Sequence, residues 1–126
     1  MVVLATNCTT QVIEDDWVSP GTHVIAVGAC RPNHREVPGA LMERALLVVD
    51  SRAAAGVESG DVILSGSQQR IHAELGEIAA GTKPGRTSRD QVTIFKSLGL
   101  AIEDVVSAGL AYRRALASGN GKEVAL

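Results

Sequence analysis

Val24-Ile25-Ala26-Val27-Gly28-Ala29-Cys30-Arg31-Pro32 is the stretch that decides the fold. An apolar run ends abruptly in Gly-Ala, then a thiol, a guanidinium and a proline. A buried parallel strand whose carboxyl end opens on a ligand crevice has this pattern. The stretch predicts a strand over His23 to Val27 and a site at its end. Downstream, Leu46-Leu47-Val48-Val49 is a second apolar run, closed by Asp50. Between them a helix is expected from Pro38 to Ala45. Pro suits a first helical turn, because its missing N–H would be unpaired there anyway. Strand, helix and strand within about 30 residues make a βαβ unit, with a right-handed crossover expected.

The flanks extend the same alternation. Val2 to Ala5 reads as a strand, and so does Val92-Thr93-Ile94-Phe95. A chain that opens inside an apolar strand is expected to start within a domain. Ser51 caps a short helix that runs towards Gly56. Ser59-Gly60-Asp61 breaks it, and Val62 to Leu64 stays open between strand and helix. Ala73 to Ala80 reads as a short helix stopped by Gly81. A long helix is expected from Gly99 to Ala117. Ile102, Val105, Val106, Gly109, Leu110 and Leu116 give it an apolar stripe at helical spacing. Residues 118–126 form a polar tail expected to fray. The fold class is α/β: a parallel sheet with flanking helices and a long C-terminal helix.

Composition narrows the function. The chain has 126 residues, enough for one domain or a large part of one. Hydrophobic residues make up 45% and aromatics 2%, so aliphatic side chains must fill the core. The net charge of -2, with both signs dispersed, argues against a basic groove for nucleic acid. No apolar run approaches the ~20 residues of a membrane span. Two cysteines, Cys8 and Cys30, are too few for a disulfide framework, so a reducing cytoplasm is the expected compartment.

Three predicted strand ends carry polar groups: Thr6-Asn7, Gly28 to Arg31, and Lys96-Ser97. In a parallel sheet these ends share one edge and could converge. Ser97 leads into the long helix, where it is either an anion contact or a cap. Cys30 and His34 could form a thiolate–imidazole pair, but no third orienting group is evident. Cys30, His34 and His72 lack metal-ligand spacing. Glu74 with Glu77, and Glu103 with Asp104, could do acid–base work or simply be solvated faces. No GxGxxG or GK[ST] motif is present, so the main pyrophosphate site of a dinucleotide would lie outside this chain.

Several blocks together resemble the ornithine cyclodeaminase/mu-crystallin family. They are Trp17-Val18-Ser19-Pro20-Gly21-Thr22-His23, Ala26 to Pro32 with Arg35-Glu36, Val49-Asp50-Ser51, Glu58-Ser59-Gly60-Asp61, Ala73 to Glu77, and Phe95 to Asp104. The resemblance implies a partial Rossmann-like sheet. Residues 1–98 would be the C-terminal part of an NAD(P)-binding domain. Residues 99–117 would be a helix returning to a substrate and dimerisation domain, with 118–126 as a flexible tail. It implies NAD(H) or NADP(H) as cofactor, incompletely bound by this chain, and a small imino or amino acid as substrate. A homodimer is implied, with no nucleic-acid or membrane partner.

Carried over block by block, Thr6, Asn7, Val27 and Ser97 match cofactor contacts, and Cys30 and Glu58 match substrate-side positions. Cys30 stands where the cyclodeaminases place a catalytic aspartate. A thiol is a poor carboxylate substitute near neutral pH. The reductase branch, moving hydride between cofactor and a C=N bond, is therefore favoured. The chain is expected to be inactive alone. A cyclodeaminase-type lyase and a non-catalytic assembly module are the alternatives.

Overall fold

The computed structural model describes residues 1–122 and 124. Residues 123, 125 and 126 of the expected tail lie outside the described residues. The described residues form five strands and five helices. In chain order they are β1 Val2–Leu4, β2 His23–Ala26, α1 Gly39–Arg44, β3 Leu46–Val49, α2 Arg52–Glu58, α3 Gly60–Leu64, β4 Ile71–Glu74, α4 Leu75–Ala79, β5 Thr93–Lys96 and α5 Ala101–Ser118. Short 3-10 turns add Asp15–Trp17 and Gln68–Arg70.

All strands pair in parallel, in the order β1-β2-β5-β3-β4. β5 inserts between β2 and β3, so the βαβ unit read from the sequence skips one position in the sheet. The register is simple at the carboxyl edge. Leu4 pairs with Ala26, Ala26 with Lys96, Lys96 with Val49, and Val49 with Glu74. Five strand ends therefore stand in one row.

Alternation sets the layers, since successive side chains point to opposite faces. Val24, Ala26, Ile94, Leu47 and Val49 are fully buried. They form one core cluster with Val37, Leu41, Met42, Ala55 and Val62, contributed by α1 to α3 and the loop before α1. The opposite face is thinly covered. Val3 is 56% exposed, and Ile25 and Phe95 are only half-buried. No residue of α5 is buried. Its Ile102, Val105, Val106, Leu110 and Leu116 are all exposed.

Local chemistry explains the short helices. Ser51 Oγ accepts from Ala54 N–H at 3.3 Å, which starts α2. Ser59 closes α2 with its backbone N–H on Ala55 O and opens α3 with its side chain on Val62 N–H. Val62 to Leu64, left open by the sequence, is helical for that reason.

The expected helix over Ala73 to Ala80 is corrected. Ile71 to Glu74 is a fifth strand, and only Leu75 to Ala79 is helical. Ala73 and Glu74 are good helix formers, but pairing with Val48 and Val49 overrides that preference. Glu77 then accepts from Glu74 N–H at 2.8 Å and pairs with Arg52 at 2.7 Å, which fixes the strand-to-helix corner. These two contacts hold the Glu77 carboxyl below the usual range, the Arg52 contact foremost.

Candidate functional site

The order β1-β2-β5 places the three polar strand ends side by side. Val27 N–H donates to Leu4 O at 2.9 Å, and Ser97 N–H donates to Ala26 O at 3.1 Å. Thr6-Asn7 thus flanks Val27 on one side and Ser97 flanks it on the other. Thr6, Asn7, Val27 and Cys30 are exposed, and Ser97 is half-buried. Val27 is 38% exposed, an apolar side chain on an otherwise polar edge.

Two buried acids build this edge. Glu36 is fully buried. Its Oε1 accepts from Thr6 N–H at 2.5 Å, and its Oε2 accepts from Gly28 N–H at 2.8 Å and Ala29 N–H at 3.2 Å. One carboxylate therefore clamps the ends of β1 and β2 together. Gly28 is required there by space. A Cβ at position 28 would strike Thr6 N, Thr6 O and Glu36 Oε1.

Asp50 does the same on the other side. Its Oδ1 accepts from Ser51 N–H at 2.8 Å. Its Oδ2 accepts from Ser97 Oγ at 3.0 Å, Leu98 N–H at 2.6 Å and Gly99 N–H at 2.7 Å. Gly99 adopts φ +84°, the left-handed region that lets the chain turn back onto that acid. Ser97 is consequently not the cap of α5. Glu103 supplies that, its Oε2 accepting from Leu100 N–H at 3.4 Å.

Behind Glu36 stands a further layer of charge. Asp61 Oδ1 accepts from Glu36 N–H at 2.7 Å and Val37 N–H at 2.9 Å. Its Oδ2 lies 3.4 Å from Lys96 Nζ, an ion-pair contact without hydrogen-bond geometry. Both side chains are completely buried. Buried charges persist only when paired in this way.

The other residues singled out from sequence distribute more widely. Cys30 Sγ donates to Val27 O at 3.4 Å, so the thiol sits over the end of β2. His34 N–H donates to Arg31 O at 3.0 Å within the same loop. Glu58 is exposed at the end of α2. Two residues on, Gly60 N–H donates to Arg31 O at 3.1 Å, which brings that segment against the Cys30 loop. His72 Nε2 lies 2.8 Å from Pro84 O and takes no part in this edge. Among the described residues there is no group of three or more His, Cys, Asp or Glu placed to hold a metal. Among the same residues no helix is long and apolar enough to cross a membrane.

Glu36 and Asp61 were legible only as members of larger blocks. The available signal was an acid directly against the apolar Val37-Pro38, and another directly before Val62-Ile63-Leu64. Lys96 was legible as a strand-end cation, but not as a buried one.

The edge can offer a flat ligand an apolar wall at Val27, hydroxyl and amide groups at Thr6 and Asn7, and a thiol at Cys30. Among the described residues no glycine-rich loop of GxGxxG spacing accompanies it.

Known proteins share this sequence pattern and this fold. The model of the ornithine cyclodeaminase/mu-crystallin family matches residues 1–119. Ketimine reductase mu-crystallin from Macropus fuliginosus is 49% identical over 112 residues, covering 89% of this chain and 34% of that protein. Delta(1)-pyrroline-2-carboxylate reductase from Bacillus cereus is 42% identical over 130 residues, covering 98% and 40%. Among solved structures, the Thermococcus litoralis Delta(1)-pyrroline-2-carboxylate reductase in complex with NADH and L-proline has a TM-score of 0.88 at 40% identity, over 98% of this chain and 40% of that one. An archaeal alanine dehydrogenase dimer with bound NAD has a TM-score of 0.85 at 35% identity, over 99% and 41%. The chain thus spans about two fifths or less of the length of these relatives, in their C-terminal portion. By sequence and by fold, it belongs to the ornithine cyclodeaminase/mu-crystallin family.

Proposed function

We propose that this chain forms the nicotinamide-side portion of an NAD(P)-dependent oxidoreductase acting on small imino or amino acids. The observation that carries this reading is the single row of strand ends, with exposed Val27 between Thr6-Asn7 and Ser97. Val27 would face the nicotinamide ring. Thr6 and Asn7 would hydrogen-bond cofactor groups. Ser97, oriented by Asp50, would close the other side. A bound nicotinamide cofactor supplies or takes up hydride. The residues here bind and orient it.

Cys30 and Glu58 are assigned to the substrate side. The thiol at Cys30 favours reduction of a C=N bond over cyclodeamination, because a thiol is a poor substitute for a carboxylate base. NAD(H) and NADP(H) are both compatible with this edge.

The domain assignment belongs to the same proposal. Residues 1–98 form part of a Rossmann-type domain, and 99–117 reach towards a substrate and dimerisation domain. Two features support it. β1 ends the sheet with an unpaired edge and an exposed Val3, without the charges or prolines that usually protect an edge. The stripe on α5 is exposed.

The test is to titrate NADH and NADPH against the chain and assay a cyclic ketimine for turnover. The expected result is weak, non-saturating binding and no turnover, since the pyrophosphate cradle is missing. Micromolar binding with turnover would show that the chain is a complete enzyme and overturn the assignment of a partial site.

A further inference from the structure

The three buried charges Glu36, Asp61 and Lys96 take no part in the contacts proposed above. We infer that Glu36 is a positioning residue for that edge: its carboxylate sets the backbone of Thr6 and of Gly28-Ala29, and so where Asn7, Val27 and Cys30 point. The inference rests on the nicotinamide reading only for what is positioned, not for the clamp itself.

The clamp is asymmetric. One oxygen serves a single donor, Thr6 N–H, which belongs to β1's end. The other serves two donors, Gly28 and Ala29 N–H, which belong to β2's end. Only a carboxylate, an acceptor at both oxygens, satisfies all three. Asp61 fixes the Glu36 backbone, and Lys96 supplies the counter-charge to Asp61 across 3.4 Å. The cation of β5 thus supports, through Asp61, an acid that joins β1 to β2. Charge-assisted bonds of this kind are about twice as strong as neutral ones.

Glu36→Gln separates positioning from bulk packing. The side chain keeps its size but has one acceptor oxygen and one NH2 donor. The oxygen will turn to the two-donor side, and Thr6 N–H will lose its partner. On the full chain, Thr6 amide exchange should quicken about tenfold or more, with its resonance shifted to that of an unbonded amide. Gly28 and Ala29 should hold, and so should the core signals of Val24 and Ile94. NADH-induced shifts should vanish at Thr6 and Asn7 and persist at Ser97. Unchanged Thr6 exchange, or an unchanged NADH response at Asn7, overturns the inference.

Should the variant fail to fold, the unaltered chain still decides. Through-hydrogen-bond couplings from Glu36 Cδ to the nitrogens of Thr6, Gly28 and Ala29 must be present, and their absence overturns the inference. If the unaltered chain responds to NADH nowhere, the nicotinamide reading fails, while Thr6 exchange and the couplings still judge the clamp.

Discussion

Asp50 shows how one side chain can hold the carboxyl edge of a sheet. It accepts four hydrogen bonds, three of them from residues 97–99 on another strand's end. Asp50→Ala would leave those donors to find water or stay unpaired. A loss of about 3 kcal/mol is expected in urea unfolding, because bonds to a charged acceptor and buried unpaired donors both weigh heavily. Gly28→Ala should cost about as much. Its Cβ would meet backbone and a clamped carboxylate, which cannot give way as a flexible side chain would. Both variants can be measured by the same urea transitions. A change under about 0.5 kcal/mol, the usual range of surface substitutions, would contradict either one. His23 adds a pH dependence. Burial lowers its pKa from the ordinary 6.5, and the neighbouring Arg86 guanidinium lowers it further. Its Nδ1 lies 2.7 Å from Thr93 Oγ1. The unfolded chain therefore takes up this proton first as pH falls. Its contribution to stability is complete above about pH 6.5 and is lost as pH drops from there through the folded value. His23→Gln should flatten stability across that window. A further loss belongs to Glu77, whose contribution persists above 4.5 and fades as pH falls through its lowered folded value.

Among the elements, the strands and the long helix were legible because their patterns are strong. Val24 to Val27 and Leu46 to Val49 are continuous aliphatic runs ended by Gly and Asp, and α5 carries an apolar stripe at helical spacing within its 18 residues. β4 was not legible. Ile71-His72-Ala73-Glu74 is short, holds two good helix formers, and exists through its pairing with β3. That pairing has no local signature. Ser51 was read correctly as a cap, and Ser51→Ala should cost about 1 kcal/mol in thermal or urea unfolding. α5 is the contrasting case, since none of its residues is buried. Gly109 lies mid-helix with no close backbone neighbour, and a Cβ there would meet only the Arg113 guanidinium at 3.4 Å. Gly109→Ala should therefore raise α5 stability by about 1 kcal/mol, read as slower amide exchange along the helix. Exchange across α5 should in any case outpace that of β2 and β5, which lie inside the sheet.

For the whole molecule, the side-by-side placement of the strand ends at Thr6-Asn7, Gly28 to Arg31 and Lys96-Ser97 was legible once the strands were taken as parallel. What made it legible was the position of polar residues at the end of apolar runs. The acids that hold those ends were not, because nothing local shows that Glu36 reaches Thr6 across 30 positions, or that Asp50 reaches Leu98 across 48. Ser97 illustrates the limit. Its place at the edge was readable, while its bond to Asp50 needed the fold. The same fold leaves one sheet face, the β1 edge and α5 open, consistent with a chain that matches two fifths of its relatives' length. The central claim is that the carboxyl edge of β1, β2 and β5 receives a nicotinamide ring. Amide shift mapping of the full chain with NADH added to millimolar concentration tests it most directly. The account predicts perturbations grouped at Thr6, Asn7, Val27 to Cys30 and Ser97, without saturation at micromolar NADH. Perturbations confined to other surfaces, or none at all, would contradict it.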